Sequence, residues 1–193
     1  CWLVNNFTDH SKMFKRWTRE GSQLNQAKTS VVRTIRRALI DLFPDIAEDL
    51  EQIFPKKGVM SVAKCGHKVT LVLSEDMTIW FFKTKDIPWT PTLRTLHKYP
   101  DLLPKVQVDR GAIRFVMKGS NIMCPGLTSP GAKLDVEIEK NTPCAVMAEG
   151  KVHALAIGYT AMSTEEMRKI NKGIGVETLC YLNDGLWTTP FFE

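Results

Sequence analysis

The apolar residues of the first half of the chain begin with a helical period. Between residues 29 and 43 they recur every three or four positions, which predicts an amphipathic helix over 29–43. Either Thr29 or Ser30 can cap its first turn. A second, shorter helix is predicted over residues 44–54, because Pro44 suits a first turn and the acids that follow it favour the helix dipole.

Beyond residue 59 the period changes to the alternation of β-strands. Met77, Ile79 and Phe81 share one face of a predicted strand, whereas Trp80 and Phe82 share the other. A strand that is apolar on both faces is either buried on both sides or offers one face to a partner. Trp80 and Phe82 are therefore candidate partner contacts, with burial as the competing interpretation. The strands predicted in this region cover residues 59–65, 67–74 and 77–83, with a hairpin turn at 74–76.

A proline-rich segment separates this half from the next. Pro91 and Pro100 bracket a short helix over about Thr92–His97, because proline is unfavourable inside a helix. The same prolines suit a domain boundary next to Pro104. Residues 13–103 and 104–193 are thus predicted to form two domains.

The second half combines short strands with two small helices. Asp109 is placed to cap a helix that Gly119 closes, and Ser163 with Glu166 forms a capping box for another that Gly173 ends. Strands are predicted over residues 105–109, 121–124, 135–139, 144–149, 152–159 and 176–182. This pattern is typical of a small, partly closed β-barrel. The predicted fold class is α+β, in which an N-terminal α/β domain of helices and antiparallel strands precedes a small pseudo-barrel.

Composition restricts the location and the partners. No apolar run approaches the roughly 20 residues of a membrane span, so no membrane association is expected. The first methionine is Met13, and residues 1–12 are predicted to be a non-native tail. The five cysteines contain no C-x-x-C pair, which favours free thiols in a reducing compartment, the cytoplasm, over disulfides or zinc. Cys65 and His67 are neighbours, but no second pair completes a metal site, and no metal or cofactor is expected.

The charge favours an RNA partner without requiring one. Lys and Arg number 26 against 21 Asp and Glu, with a pI near 9.0. No acid occurs between Gly21 and Ile40. The predicted first helix therefore has a basic face, which either is simply solvated or contacts phosphates. The residues of this candidate RNA-binding face are Lys28, Arg33, Arg36 and Arg37.

The region around Cys124 is rich in glycine and basic residues but lacks catalytic motifs. Its glycines either form tight turns or let another molecule approach the backbone closely. Nearby basic side chains could hold phosphates. We find no P-loop, no G-x-G-x-x-G and no G-x-S-x-G, and nothing in the sequence supplies Cys124 with a base, so no enzymatic activity is expected. The glycines are Gly111, Gly119, Gly126 and Gly131, and the basic side chains near them are Arg110, Arg114, Lys118 and Lys133.

The stretch VDRGAIRFVMKGSNIMCPGLTSPGA, residues 108–132, resembles the core of a PUA domain, an RNA-binding module of pseudouridine synthases and archaeosine transglycosylases. Residues 148–187 resemble the rest of that barrel. With PTLRTLHKYPDLLP at 91–104, the chain from Met13 to about Trp187 is similar to the malignant T-cell-amplified sequence family of oncoproteins.

This resemblance implies a function and a set of residues. Family members act with density-regulated protein on the small ribosomal subunit, in translation reinitiation, in specialised forms of initiation and in subunit recycling. The PUA domain is expected to hold the acceptor end of a tRNA, and the N-terminal domain to touch rRNA. Implied phosphorylation sites are Thr92 and Ser129. The implied RNA surface consists of Gly111, Ala112, Lys118, Gly119, Asn121, Met123, Pro125 and Gly126.

Two other classes of function stay open at this point. PUA domains often accompany catalytic domains that modify RNA, so the chain could be the RNA-targeting subunit of such a system. It could also be an adaptor that contacts only proteins, in which case Trp80 and Phe82 would carry the interaction.

Overall fold

The computed structural model describes residues 13–192 and contains two five-stranded sheets, one in each half of the chain. The first half contains β1 (Gln23–Gln26), α1 (Thr29–Leu42), a 3-10 turn (Pro44–Ile46), α2 (Ala47–Ile53), β2 (Ser61–Lys64), a second 3-10 turn (Gly66–Lys68), β3 (Thr70–Leu73), β4 (Ile79–Lys83), β5 (Thr90–Pro91) and α3 (Leu93–Lys98). The second half contains β6 (Lys105–Val108), α4 (Arg110–Val116), β7 (Ile122–Met123), α5 (Pro125–Thr128), β8 (Pro143–Ala148), β9 (Ala156–Thr160), α6 (Thr164–Ile170), β10 (Ile174–Tyr181) and α7 (Gly185–Thr188). The α+β prediction is confirmed. The predicted tail, residues 1–12, lies outside the described residues.

α1 forms where its apolar period predicts, but it begins differently. Its N-cap is Lys28, which has an extended backbone and makes no side-chain capping bond. The prediction that Thr29 or Ser30 caps the helix is therefore wrong, because both hydroxyl residues already lie inside its first turn. The predicted second helix is divided into the 3-10 turn and α2. The buried face of α1 consists of Val32, Ile35 and Leu39.

The first sheet has the strand order β1-β2-β3-β4-β5, with antiparallel neighbours throughout. On one face of β4, Phe81 stacks on Phe43 with ring centroids 5.5 Å apart. Phe82 packs edge-on against Phe14 at 5.2 Å. Successive side chains of a strand point to opposite faces, so β4 is buried on both. The burial interpretation of its sequence is confirmed.

The second sheet has the order β6-β8-β9-β10-β7 and curls into a half-barrel. Only β6 and β8 are parallel among its described pairs. The strand predicted over 135–139 does not form. The N–H of Ile138 instead donates to Oγ1 of Thr164 at 3.0 Å, and its carbonyl accepts from the N–H of Thr164 at 3.0 Å. The backbone of this segment is thus satisfied by the start of α6.

The caps of the second half are mostly those predicted. Ser163 and Glu166 form the capping box of α6. The helix ends at Asn171, which takes the left-handed conformation, so the prediction of Gly173 as its end is wrong by two residues. Gly119, which follows α4, has a φ of +76° and is packed so closely that a Cβ would lie 2.7 Å from the ring of Tyr181. Glycine is needed there.

One buried apolar cluster spans both halves, and a second lies within the second half. Leu93 and Leu96 of α3, which forms within one residue of its predicted position, belong to the same buried cluster as Leu186. Arg94 donates from Nη2 to the carbonyl of Trp187 at 2.7 Å. The boundary next to Pro104 stays a prediction, although the two sheets divide between β5 and β6.

The last described residues run back across β4. The N–H of Ile79 donates to the carbonyl of Pro190 at 3.3 Å, and the N–H of Phe192 donates to the carbonyl of Met77 at 3.1 Å. Phe192 is buried, and its ring lies 6.4 Å from that of Trp17. The C-terminal segment therefore completes the core of the first half.

Candidate nucleic-acid interface

One corner of the half-barrel is organised by Asp109. Its Oδ1 accepts from the N–H of Ala112 at 2.9 Å, which caps α4 as predicted, and its Oδ2 accepts from Oγ of Ser129 at 2.6 Å. The hydrogen bond from Ser129 is the main reason that the pKa of Asp109 is lowered. The N–H of Asp109 donates to the carbonyl of Gly126 at 3.2 Å. α4 and α5 are thereby held side by side.

Gly126 keeps the surface between α4 and α5 low. A Cβ built on Gly126 would lie 3.4 Å from the Cβ of Ala112, so a larger side chain would extend over that surface. Pro125 starts α5 and is exposed, as is Gly111 on α4. The structure has a helical turn at Pro125-Gly126. We call the surface of Gly111, Ala112, Met123, Pro125, Gly126 and Ile174 the glycine corner.

Two apolar side chains are exposed side by side at this corner. Met123 of β7 pairs with Ile174 of β10, and they are 50% and 39% exposed. Ile174 was missed by the sequence prediction, because its exposure depends on the pairing of strands that are 51 positions apart along the chain. Phe115 of α4, which was also missed, is half exposed under the guanidinium of Arg114, 4.7 Å from the ring centroid. An exposed aromatic ring beside a cation, as in Phe115 and Arg114, suits stacking on a nucleobase.

Other predicted members of the surface support the fold instead. Gly119 is buried, so its assignment to the RNA surface is wrong. Asn121 is partly buried and accepts from the N–H of Thr178 at 3.0 Å, which ties the approach to β7 onto β10. Lys118 is exposed.

Cys124 is enclosed beneath the corner. It is 0% exposed, and its Sγ lies 3.5 Å from the carbonyl of Lys172. Burial raises the pKa of this thiol, so it stays protonated at neutral pH. Its N–H donates to the carbonyl of Gly173 at 3.0 Å, and Thr128 donates to Oδ1 of Asn171 at 2.6 Å. These contacts bring the loop after α6, with the exposed Lys172, next to α5.

The basic face of α1 is less uniform than its sequence indicates. Lys28, Arg33 and Arg37 are exposed. The side chain of Arg36 is only 11% exposed and lies 3.3 Å from the carboxylate of Glu51 on α2. The assignment of Arg36 to the RNA-binding face is therefore wrong, because its charge is used between two helices.

The structure contradicts two of the remaining predicted sites and leaves the other two open. Phe82 is 0% exposed, so its assignment as a partner contact is wrong. Trp80 is half-buried, with its indole N–H donated to Oγ of Ser74 at 2.8 Å. Thr92 is buried and caps α3 by accepting from the N–H of Thr95, which makes its assignment as a phosphorylation site wrong for the folded protein. Ser129 is partly exposed, and phosphorylation there stays a prediction.

Neither metal binding nor membrane insertion has support in the described structure. Among residues 13–192, no three His, Cys, Asp or Glu side chains are grouped so that they could hold a metal ion. The side chain of His67 lies outside the described part, so the pairing with Cys65 is untested. No helix of the described chain has the length and apolar content needed to cross a bilayer.

Known proteins resemble this chain along almost its whole length. A Pre-PUA-like domain matches residues 14–100 and a PUA domain matches residues 104–182. Malignant T-cell-amplified sequence 1-A of Xenopus laevis and sequence 2 of Homo sapiens are each 51% identical over 177 residues, covering 91% of this chain and 97% of each relative. The homolog from Drosophila melanogaster is 48% identical over the same share of the chain.

Solved archaeal structures share the fold. A hypothetical protein from Pyrococcus horikoshii superposes with a TM-score of 0.66 at 24% identity, over 87% of this chain and 99% of its own. A PUA domain protein from Thermoplasma acidophilum has a TM-score of 0.58 at 17% identity, with the same coverage of both chains. The extent and identity of the sequence matches show that the chain belongs to the malignant T-cell-amplified sequence family and carries a PUA domain.

Proposed function

We propose that this protein is a non-enzymatic, RNA-binding translation factor of the cytoplasm. The observation that carries the proposal is the glycine corner, where Met123 and Ile174 are exposed beside a backbone kept accessible by Gly126. Flexible single-stranded RNA is recognised by side chains that pack against splayed bases and by cations that neutralise phosphates. The exposed Lys118, which follows α4, and the exposed Lys172, in the loop after α6, supply such cations.

The ligand at this corner is the unpaired acceptor end of a tRNA. An unpaired end offers bases that are free to leave the stack, whereas the bases of a duplex are enclosed. The exposed residues of α1, namely Lys28, Arg33 and Arg37, make a second and weaker contact with rRNA through its phosphates. The protein acts with density-regulated protein on the small ribosomal subunit, in reinitiation and subunit recycling.

A titration with two RNAs tests the proposal. The first RNA is a hairpin with a single-stranded CCA end, and the second is the same hairpin with that end removed. We expect the protein to bind the first RNA at least tenfold more tightly, and the double variant Met123→Asp/Ile174→Asp to lose this preference. Both side chains are exposed, so the fold should survive, which a thermal melt checks. Equal affinity for the two RNAs would sink the acceptor-end assignment.

Co-sedimentation with small ribosomal subunits tests the wider role. Binding that is strengthened by density-regulated protein and weakened in the double variant is expected. Absence of RNA binding together with tight capture of density-regulated protein would instead identify a protein-only adaptor. Mass analysis of tRNA after incubation with the protein covers the remaining alternative, since a reproducible mass change would indicate a role in RNA modification.

A further inference from the structure

A groove of about 390 Å³ opens between the first turns of α1 and one end of the first sheet, far along the chain from the glycine corner. Its apolar floor is formed by Val31 and Ile35 from the helix and by Val62 from β2. Val31 is 42% exposed although it is part of an otherwise well-packed helix. The groove is therefore an apolar surface that the rest of the described chain leaves uncovered.

Two lysines border this floor in a fixed arrangement. Lys64 of β2 pairs with Thr70 of β3, and Thr70 pairs with Lys83 of β4. Residues paired across neighbouring strands point to the same face, so both lysines flank the groove with the threonine between them. Two strand spacings separate their Cα atoms by roughly 10 Å.

The charge at this end of the sheet lacks a counterpart. None of the described residues that line the groove is acidic, and neither Lys64 nor Lys83 forms an ion pair with another described residue. α1 adds to the imbalance, because its first turn has no acidic residue and no side-chain cap. Glu51 and Asp41 pair with Arg36 and Arg37, which lie in the second half of α1. Neither acid therefore offsets the charge at its first turn.

We propose that the groove binds an acidic segment of a partner protein. An aliphatic or aromatic side chain of that segment packs against Val31 and Val62, and carboxylates on either side meet Lys64 and Lys83. Apolar anchors inside a ring of complementary charge are the usual pattern of such interfaces. The inference does not rest on the proposed RNA-binding function.

RNA suits the groove less well than a peptide. Trp89, the one aromatic among the described residues of the lining, is buried, and the Nζ of Lys83 lies over its ring, 4.8 Å from the centroid. The ring is therefore not free to stack on a base, which is the main source of affinity for single-stranded RNA beyond the phosphates. The aliphatic floor and paired lysines instead favour Asp or Glu beside Leu, Ile or Trp.

A display experiment tests this inference. The full chain is immobilised and presented with a phage-displayed library of random linear peptides. We expect the selected peptides to carry at least two Asp or Glu around one large apolar residue. A synthetic peptide of that pattern should bind the wild type, and Lys64→Glu/Lys83→Glu should lower its affinity by about tenfold or more.

Matched variants make the outcome decisive. Lys57→Glu/Lys151→Glu reverses the same number of charges at exposed positions outside the groove and should bind the peptide normally. Val31→Asp, at an exposed position, tests the apolar floor without relying on Lys83. Affinity for the CCA-ended hairpin should stay unchanged in all groove variants, so this test and that of the proposed function can fail separately.

Three results would overturn the inference. The first is a selection with no enrichment of acidic, apolar-centred peptides. The second is a selected peptide that binds Lys64→Glu/Lys83→Glu and Val31→Asp as well as it binds the wild type. The third is a groove variant that loses RNA affinity while no peptide binds, because RNA would then be the occupant.

Discussion

The α1 face and the glycine corner are both proposed RNA-binding surfaces, but they are constructed in different ways. On α1 the charges project from a single helix, and two of the three arginines already face an acid, the mostly buried Arg36 with Glu51 and the exposed Arg37 at 4.0 Å from Asp41. At the corner, three segments separated in sequence meet around Gly126, and two apolar side chains, Met123 and Ile174, are exposed. A charged helix face can attract any polyanion, whereas the corner can also recognise shape.

This difference gives the two surfaces different expected responses to mutation. Binding at the corner depends on a few atoms in fixed positions, so a single substitution should have a large effect. Binding at α1 depends on the number of free charges and the salt concentration, so its losses should be smaller and shared among residues.

The largest effect is expected from Gly126→Leu. The added side chain would start 3.4 Å from the Cβ of Ala112 and cover the backbone between α4 and α5. We expect affinity for the CCA-ended hairpin to fall by about 100-fold, or about 2.7 kcal/mol, in a fluorescence titration. Retention of wild-type affinity would mean that RNA does not approach this backbone.

Cys124→Ser is the matched control for Gly126→Leu. Its side chain is buried two positions away, and a serine hydroxyl could still donate to the carbonyl of Lys172. RNA affinity should therefore stay within about twofold of the wild type, less than 0.5 kcal/mol. A larger loss in a folded Cys124→Ser protein would assign the thiol a direct role.

A smaller effect is expected from Arg33→Glu/Arg37→Glu on the α1 face. Both arginines are exposed, and we expect affinity for small ribosomal subunits to fall by about tenfold, or 1.4 kcal/mol, with a shallower dependence on salt. Arg36→Gln provides the contrast, because it should lower the stability of the α1–α2 contact and leave affinity nearly unchanged. Equal losses of affinity in both variants would show that Arg36 is freed when RNA binds.

The smallest effect is expected from Asp109→Ala, which removes the cap of α4. The free energy of unfolding at pH 7 should fall by about 1 kcal/mol in urea denaturation. The folded protein lowers the pKa of Asp109, mainly through the bond from Ser129. The ionised cap therefore contributes fully above the unfolded pKa of about 4 and is lost as pH falls through the lower, folded pKa.

The pH series for this variant has an internal control. The stability difference between wild type and Asp109→Ala should shrink at acidic pH. The difference between wild type and Asp109→Asn should start smaller, because Asn keeps a neutral capping oxygen, and should shrink by the same amount, because neither variant titrates at this position. A difference in the free energy of unfolding that stays constant from pH 7 to pH 3 would show that the cap does not depend on ionised Asp109.

The sequence predicts those features that local chemistry determines. The period of α1, the cap at Asp109 and the capping box of Ser163 each depend on residues within a turn or two of one another, and all form. The strand predicted over 135–139 does not form. Its alternation is a local pattern, but the backbone of Ile138 bonds to Thr164 at the start of α6 and not to a neighbouring strand.

The site was only partly predictable for the same reason. Arg36 and Arg33 are equivalent in a helical pattern, and only the arrival of α2 distinguishes them. Phe82 and Trp80 share a strand face, yet the first is covered by Phe14 from the start of the described chain. Ile174 gains its place beside Met123 from the pairing of β10 with β7. None of these contacts has a signature in the local sequence.

The return of the C-terminal segment across β4 affects how the protein is made. Synthesis proceeds from the N-terminus, so β4 and Phe14 leave the ribosome long before Leu186 and Phe192, which complete their core. Until these residues are synthesised, part of the apolar surface of the first half stays uncovered. We therefore expect the two halves to become stable together, in one cooperative step that follows synthesis of Phe192.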